Sequence, residues 1–370
     1  MNAPTLYLHN DPFYACLYKT GIPDRLRDSF DDDAEDNLEA YISASAPSTL
    51  YGFRMDVGRW IAACKVSGAS PVSPKARDVR DYIRVFEAGR KPSTVKRMIA
   101  NIGVLTSGIL GNTNVCLTKV VRAEMKRLRR ERGSQHKQAL AIRQLGAVAS
   151  MDDPALPFSI ERMLAVLEPN KSLFAIRGKL ILSLGGDTGR RNSEYRLANF
   201  GHIRPAANGS GTFHVDRSKT DQEGNGIVRF VSKRTMRYLA EWRAARIATG
   251  EIITDESPLL VGLSCHHRVG KRLCHVGYHI ALRWAVRKAL TILSVDHPEL
   301  VGLIDTILVR ISGHSFRVGM VEDLITAGES IATICIEGGW ETSAMPLIYG
   351  RNIDARNGAC ARLRGKLGDG

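Results

Sequence analysis

Between residues 47 and about 130, apolar side chains recur at helical intervals in four successive segments punctuated by glycine and proline. PSTLYGFRMDVGRWIAACKVSG offers Ser48 or Thr49 as a cap, spaces Met55, Val57, Trp60, Ile61 and Cys64 along a face, and stops at Gly68. SPKARDVRDYIRVFEAG repeats the pattern with Val79, Tyr82, Ile83 and Phe86 up to Gly89. KPSTVKRMIANIGVLTSGIL opens on Pro92 and Ser93 and carries Val95, Met98, Ile99, Ile102 and Leu105. LTKVVRAEMKRLRRERG sets Lys119, Arg122, Lys126 and Arg129 or Arg130 along one side. This pattern predicts an all-α N-terminal domain over 41–133.

The helical period breaks at Gly133, and SQHKQALAI, residues 134–142, reads as an extended linker. A loop, MDDPALPFS at 151–159, precedes two apolar helical stretches, ERMLAVLEPN and LFAIRGKLILSLGGDTG. The period then changes. GTFHVDRSKTDQEGNGIVRFVS alternates Phe213 and Val215 with polar neighbours, turns through Asn225 and Gly226, and resumes with Ile227, Val228 and Phe230, which predicts a β-hairpin. Helical patterns return in TMRYLAEWRAARIATG, HIALRWAVRKALTIL and FRVGMVEDLITAG. The expected second domain, 143–370, is therefore mixed α/β, mostly helical with a small β-hairpin. At 370 residues the chain is long enough for two cores.

Charge points to the partner. The net charge is +14, and clustered cations gain free energy by releasing counterions from a polyanion such as DNA. Residues 1–39 carry 3 basic and 9 acidic side chains, whereas 40–135 carry 18 basic and 6 acidic. The acidic DDDAED at 31–36 is thus expected in a flexible or solvated arm over 1–40. A basic stripe along 119–130 suits a phosphate backbone, as do Lys137 in the linker and Arg268, Lys271 and Arg272 in CHHRVGKRLCH. That last stretch also holds Cys265, His266, His267, Cys274 and His275, but in no standard zinc spacing.

Other classes lack support. No apolar stretch approaches the length of a membrane span. MNAPTLYLHNDPF lacks the basic start and apolar run of a secretory signal, so a cytoplasmic protein is expected. Seven scattered cysteines fit reduced thiols better than a disulfide framework. With no P-loop or dinucleotide fingerprint, no ATP or NAD dependence is expected.

Three short stretches concentrate the remaining chemistry: TGRRNSEYRL with Arg191 and Glu194 three apart, RSKTD with Lys219 in the hairpin, and the run from SGHSFRVGM through GGW to IYGR. Two arginines can grip the non-bridging oxygens of a phosphodiester and spread the extra charge of a pentacoordinate transition state. His314 and Arg317, three apart near a helix start, can reach the same phosphate. An indole N–H adds a donor, a tyrosine hydroxyl is a fitting nucleophile, and a lysine can protonate the departing sugar oxygen. No metal is needed for this scheme.

The order Arg191, Lys219, His314-x-x-Arg317, Trp340, Tyr349 resembles the tyrosine site-specific recombinases of the phage integrase family. GRRNSE, RSKT, GHSFRVG and GGW with a tyrosine nine residues later carry the likeness, with KQALA and VRDY extending it upstream. The resemblance implies an all-α core-binding domain and a mixed α/β catalytic domain, forming a C-shaped clamp around duplex DNA. It implies that Arg191 and Arg317 clamp the scissile phosphate while Tyr349 attacks it, leaving a 3′-phosphotyrosyl link and a 5′-hydroxyl. Lys219 would be the general acid, His314 would assist proton transfer, Trp340 would donate its indole N–H, and Glu194 would support the hydrogen bonding. Inverted-repeat sites, a homotetramer on two duplexes, and a last helix near 355–367 docking into a neighbouring subunit are further implications, with no cofactor.

Trp340 stands where most integrases have histidine. Pro346 lies three residues before Tyr349, so that helix either starts at 342–345 or is distorted. Glu194 remains open between an active-site role and an ordinary salt bridge, and Trp340 between donor and core aromatic. A DNA-binding protein that does not turn over, a telomere resolvase and a type IB topoisomerase remain alternatives.

Overall fold

The computed structural model describes residues 19–133, 138–144, 158–215, 226–351, 353 and 359–367. The chain divides into two units, Met1–His136 and Lys137–Gly370. Lys137, Lys219 and the rest of the hairpin tip, and all but the last two residues of the loop at 151–159, lie outside the described residues.

In the first unit the described elements are helices: α1 (Asp32–Ala44), α2 (Pro47–Ser67), α3 (Ala76–Asp81), α4 (Pro92–Gly103) and α5 (Lys119–Arg132). Helices α3 and α4 each run on into a wider π-helical turn, Tyr82–Phe86 and Val104–Ile109. The acidic stretch at 31–36, expected in a flexible or solvated arm, has its aspartates exposed but forms the start of α1. Asp31 caps it by accepting from the Ala34 N–H at 2.9 Å, and its acidic first turn suits the positive end of the helix dipole. Ala34 and Leu38, four apart, join the core.

Helix α2 shows why periodicity alone misplaced two features. Its N-cap is Ala46 rather than Ser48 or Thr49, because Pro47 at the first position needs no partner for a missing N–H. Phe53, Val57, Trp60, Ile61 and Cys64 face inward, whereas Met55 is exposed. Asp56 is buried, and its carboxylate accepts Arg97 through two bonds of 2.9 and 3.0 Å and Asn101 through one of 2.7 Å. On α5, Val121, Glu124, Met125 and Leu128 turn inward, leaving Lys119, Arg122, Lys126, Arg129 and Arg130 exposed.

In the second unit, α6 (Ile160–Leu167) and α7 (Leu173–Thr188) precede the short α8 (Asn192–Leu197). A three-stranded antiparallel sheet follows, β1 (Ile203–Pro205), β2 (Gly211–Val215) and β3 (Ile227–Val231), in the order β1-β2-β3. The expected hairpin is therefore two strands of a three-stranded sheet. A second hairpin, β4 (Val261–Leu263) with β5 (Val269–Arg272), places the Cys/His-rich stretch mostly in its turn and second strand. Its strands are too short for alternation to reveal them. Helices α9 (Lys233–Ile247), α10 (His275–Leu293), α11 (Ile304–Arg310), α12 (Ser315–Ala327), α13 (Ile331–Gly338), α14 (Ala344–Gly350) and α15 (Ala359–Lys366) complete the unit. Among the described residues, no helix is long and apolar enough to cross a membrane.

Helix α7 is buried on nearly every side from Ala175 to Gly185 rather than along one stripe, and its buried cations are partnered, Arg177 by the Val261 carbonyl at 2.8 Å and Lys179 by Glu241 at 3.0 Å. The segment expected as linker is also drawn in. Leu140, Ala141 and Ile142 are buried, and the Leu140 and Ile142 N–H groups donate to the Arg310 and Ser315 carbonyls at 3.0 Å. A Cβ at Gly319 of α12 would meet the Ile142 carbonyl oxygen at 2.0 Å, which accounts for the glycine two residues after Arg317.

Beside this segment, burial pushes the Glu322 carboxyl up to about 7, with Arg143 opposing the shift and Asp323 adding to it. The folded pKa lies above the unfolded value, so Glu322 progressively destabilises the unit as pH rises through the 4–7 window, and the penalty is complete above it. Glu322→Gln should raise stability on the order of 2 kcal/mol at pH 8 and change it little at pH 4.5. Denaturant midpoints at the two pH values check this, and equal shifts at both would contradict it.

Candidate active site

Helix α7 ends at Gly189, whose φ of 54° is left-handed, and the chain turns directly into the arginine pair. Arg191 is the N-cap of α8. Glu194, buried in the first turn, accepts the Arg191 backbone N–H at 3.2 Å and its Nη1 at 3.0 Å. One carboxylate thus fixes both the backbone and the guanidinium of Arg191.

Arg317 lies on α12 and is 1% exposed. Its Nη2 donates to the Gly338 carbonyl at 2.5 Å and its Nη1 to that of Gly189 at 3.5 Å. The guanidinium sits 3.9 Å from the centre of the Trp340 ring, a cation–π contact. Burial, then the charges of Arg191 and Arg190, push its pKa down to about 9, so it stays cationic at neutral pH.

Trp340 follows α13. Gly338 has no room for a side chain, since a Cβ there would fall 1.6 Å from the indole, and Gly339 takes a left-handed φ of 64°. The indole therefore folds back over the helix end. Its ring lies 5.9 Å from that of Tyr349 at an interplanar angle of 61°. Among the described residues, none accepts from the indole Nε1 or bonds to the Tyr349 hydroxyl.

Tyr349 rides on α14, which begins at Ala344. Pro346 is therefore in the first turn, where its missing N–H breaks no intrahelical bond. Gln138 Nε2 donates to the Tyr349 carbonyl at 2.7 Å, tying the tyrosine helix to the segment at 138–144.

Arg191, Glu194, Arg317, Trp340 and Tyr349 thus form one connected group. His314 immediately precedes α12, with its side chain at the surface while that of Arg317 turns inward. It is close enough to His279 to help lower that residue's pKa, after the larger effects of burial, His275 and Arg283. Two arginines escaped the sequence reading. Arg190 is wholly buried, with Nε on the Thr188 carbonyl at 3.1 Å and Nη2 on that of Glu337 at 2.7 Å. Arg229 of β3 donates through Nη2 to the Ile336 carbonyl at 2.6 Å. The RR doublet at 190–191 was the one signal for the first, and nothing in the strand pattern singled out the second.

Electrostatically the site is unbalanced. Glu194 is the carboxylate in contact with Arg190 and Arg191, at 3.9 and 3.0 Å, while Arg317 has only carbonyls and an aromatic face. Such a cluster favours an anion with several acceptor oxygens.

The chain is 26% identical over 314 residues to recombinase Cre of Escherichia phage P1, a match covering 82% of this chain and 84% of the relative. The solved structure of the XerH site-specific recombinase in its post-cleavage complex with palindromic difH substrate shares the fold. Its TM-score is 0.56 at 12% identity, over 96% of this chain and 87% of that one. The Tn1549 transposon integrase bound to transposon right end DNA gives a TM-score of 0.57 at 14% identity, over 90% and 99% of the two chains. In sequence and in fold the chain resembles the tyrosine recombinases. No family model matches it.

The chain is thus similar to proteins named as recombinases and an integrase. Its expected DNA-contacting residues are unevenly available. Lys119, Arg122, Lys126, Arg129 and Arg130 are exposed on α5 without a carboxylate partner among the described residues. Arg268 and Lys271 are exposed on the β4–β5 hairpin. Arg272 is engaged: its guanidinium donates to the carbonyls of Arg196 and Ala198 at 3.1 and 2.8 Å and to Asn199 Oδ1 at 2.5 Å, closing the end of α8.

Proposed function

We propose that this chain cleaves and rejoins duplex DNA at specific inverted-repeat sites through a covalent intermediate on Tyr349, in the manner implied by its likeness to Cre. The observation that carries the reading is the cluster of Arg191 and Arg317 beside Trp340 and Tyr349, with cationic charge in excess of carboxylate. Arg191 and Arg317 hold the non-bridging oxygens of the scissile phosphate, and the Trp340 N–H and His314 add donors. The Tyr349 oxygen attacks phosphorus as the bond to the 5′-oxygen breaks. Lys219 protonates the departing oxygen, leaving the 3′-phosphate on tyrosine and a free 5′-hydroxyl. Attack by a 5′-hydroxyl of a partner duplex reverses these steps and returns the proton. The phosphotyrosyl bond conserves the phosphodiester energy, so neither ATP nor a metal takes part. A homotetramer on two duplexes, with α15 docking into a neighbouring subunit, supplies the partner strand.

The test selects bound fragments from host DNA, builds nicked duplexes from them, and seeks an SDS-resistant complex. A phosphotyrosyl peptide containing residue 349 is expected. Specific binding with no covalent complex would move the assignment to a DNA-binding protein that does not turn over.

The α5 stripe supplies affinity rather than chemistry. Replacing both Lys126 and Arg130 by Gln should reduce the slope of log K against log salt by about 2 and weaken specific and non-specific binding alike. An unchanged slope would remove this stripe from the interface.

A further inference from the structure

Helix α13 ends in an unusual cap. Its last three carbonyls, those of Ile336, Glu337 and Gly338, each accept a hydrogen bond from a different arginine: Arg229 at 2.6 Å, Arg190 at 2.7 Å and Arg317 at 2.5 Å. The arginines come from β3, from the turn before α8 and from α12. A helix C-terminus carries unsatisfied carbonyls and the negative end of the dipole, so one guanidinium there is unremarkable. Three converging guanidiniums mutually repel, and burial already pushes the pKa values of Arg190 and Arg229 down. Arg190 also leaves Nη1 buried without a partner, as Arg229 does Nε. Capping this helix end does not require that expense of buried donors.

What the helix end carries supplies the reason. The Trp340 backbone N–H donates to the Cys335 carbonyl at 2.9 Å, and the indole folds back over Gly338 to lie against Arg317. The last turn of α13 therefore sets the position of both the indole and the guanidinium facing the scissile phosphate.

We infer that Arg190 and Arg229 are positioning residues for strand transfer, fixing the end of α13 so that Trp340 and Arg317 present their donors in one geometry. This rests on the reading of the site under Proposed function. Neither residue belongs to the set that touches DNA in that reading. Displacement of catalytic donors by about 1 Å can lower a rate on the order of 100-fold.

The test uses the full chain carrying 5-fluorotryptophan at its four tryptophans, with the Trp340 resonance assigned through Trp340→Phe. Arg229→Met should move the Trp340 line while leaving those of Trp60, Trp242 and Trp284 in place, which also reports an intact fold. On nicked duplexes at saturating protein, its cleavage rate should fall about 10- to 100-fold, with DNA affinity within about twofold of wild type. Arg229→Lys and Arg190→Lys, retaining charge and one donor, should lie between wild type and Arg229→Met. An unmoved Trp340 line, an unchanged cleavage rate, or a loss of affinity in place of rate would overturn the inference, the last by making Arg229 a direct phosphate contact. If wild type forms no covalent complex, the strand-transfer reading fails, while the resonance still decides whether the arginines set Trp340.

Discussion

Tyr349→Phe should bind its sites as wild type does and form no covalent complex, with single-turnover cleavage reduced by at least about 10⁴-fold, or about 5.5 kcal/mol of transition-state stabilisation. Phenylalanine preserves the ring that packs on the core and meets Trp340 at 5.9 Å, so the fold and the arginine cluster remain. In the proposed mechanism it removes only the nucleophilic oxygen. Water is a poor substitute, because attack must occur along the line opposite the departing 5′-oxygen, where the tyrosine oxygen would stand. Gel-resolved cleavage of a nicked duplex measures the effect, and residual covalent complex in this variant would place the nucleophile elsewhere.

Arg317→Ala should lower cleavage by about 10³- to 10⁵-fold, the range expected when a guanidinium that stabilises a transferring phosphoryl group is removed. Two causes combine. The transition state loses a fork-shaped cation, and the site loses the group that bridges the Gly189 and Gly338 carbonyls against the face of Trp340. The variant should therefore also be less stable, whereas Tyr349→Phe should not. Arg317→Lys should recover little, because a single ammonium cannot hold both carbonyls and a phosphate oxygen together. Cleavage in the alanine variant within tenfold of wild type would remove Arg317 from the phosphate clamp.

Much of this site was legible because its chemistry lies in short motifs. His-x-x-Arg, the GGW turn and the tyrosine nine residues beyond Trp340 are local spacings, and α12, α13 and α14 appear where those spacings require them. Pro346 was legible too, since its ring restricts where the helix bearing Tyr349 can begin. Other features depend on which surfaces meet. The acidic run at 31–36 reads as a flexible or solvated arm; its aspartates are exposed, but the helix they open is held by Ala34 and Leu38, which find a core to enter. Residues 138–142 read as a linker until the carbonyls of Arg310 and Ser315 arrive beside them.

The amino-acid order by itself determined the all-helical first unit, the mixed second one and the chemical identity of the candidate active site, because helical period, turn residues and motif spacing act over a few residues. Only the tertiary structure decided which cations are free to meet a phosphate and which are already engaged. Arg191 and Arg190 are neighbours of the same type, yet Glu194 holds one at the edge of the site while α13, nearly 150 residues onward, buries the other against its last turn. That difference comes from carbonyls brought together by packing, and no local pattern in the chain encodes where they will lie.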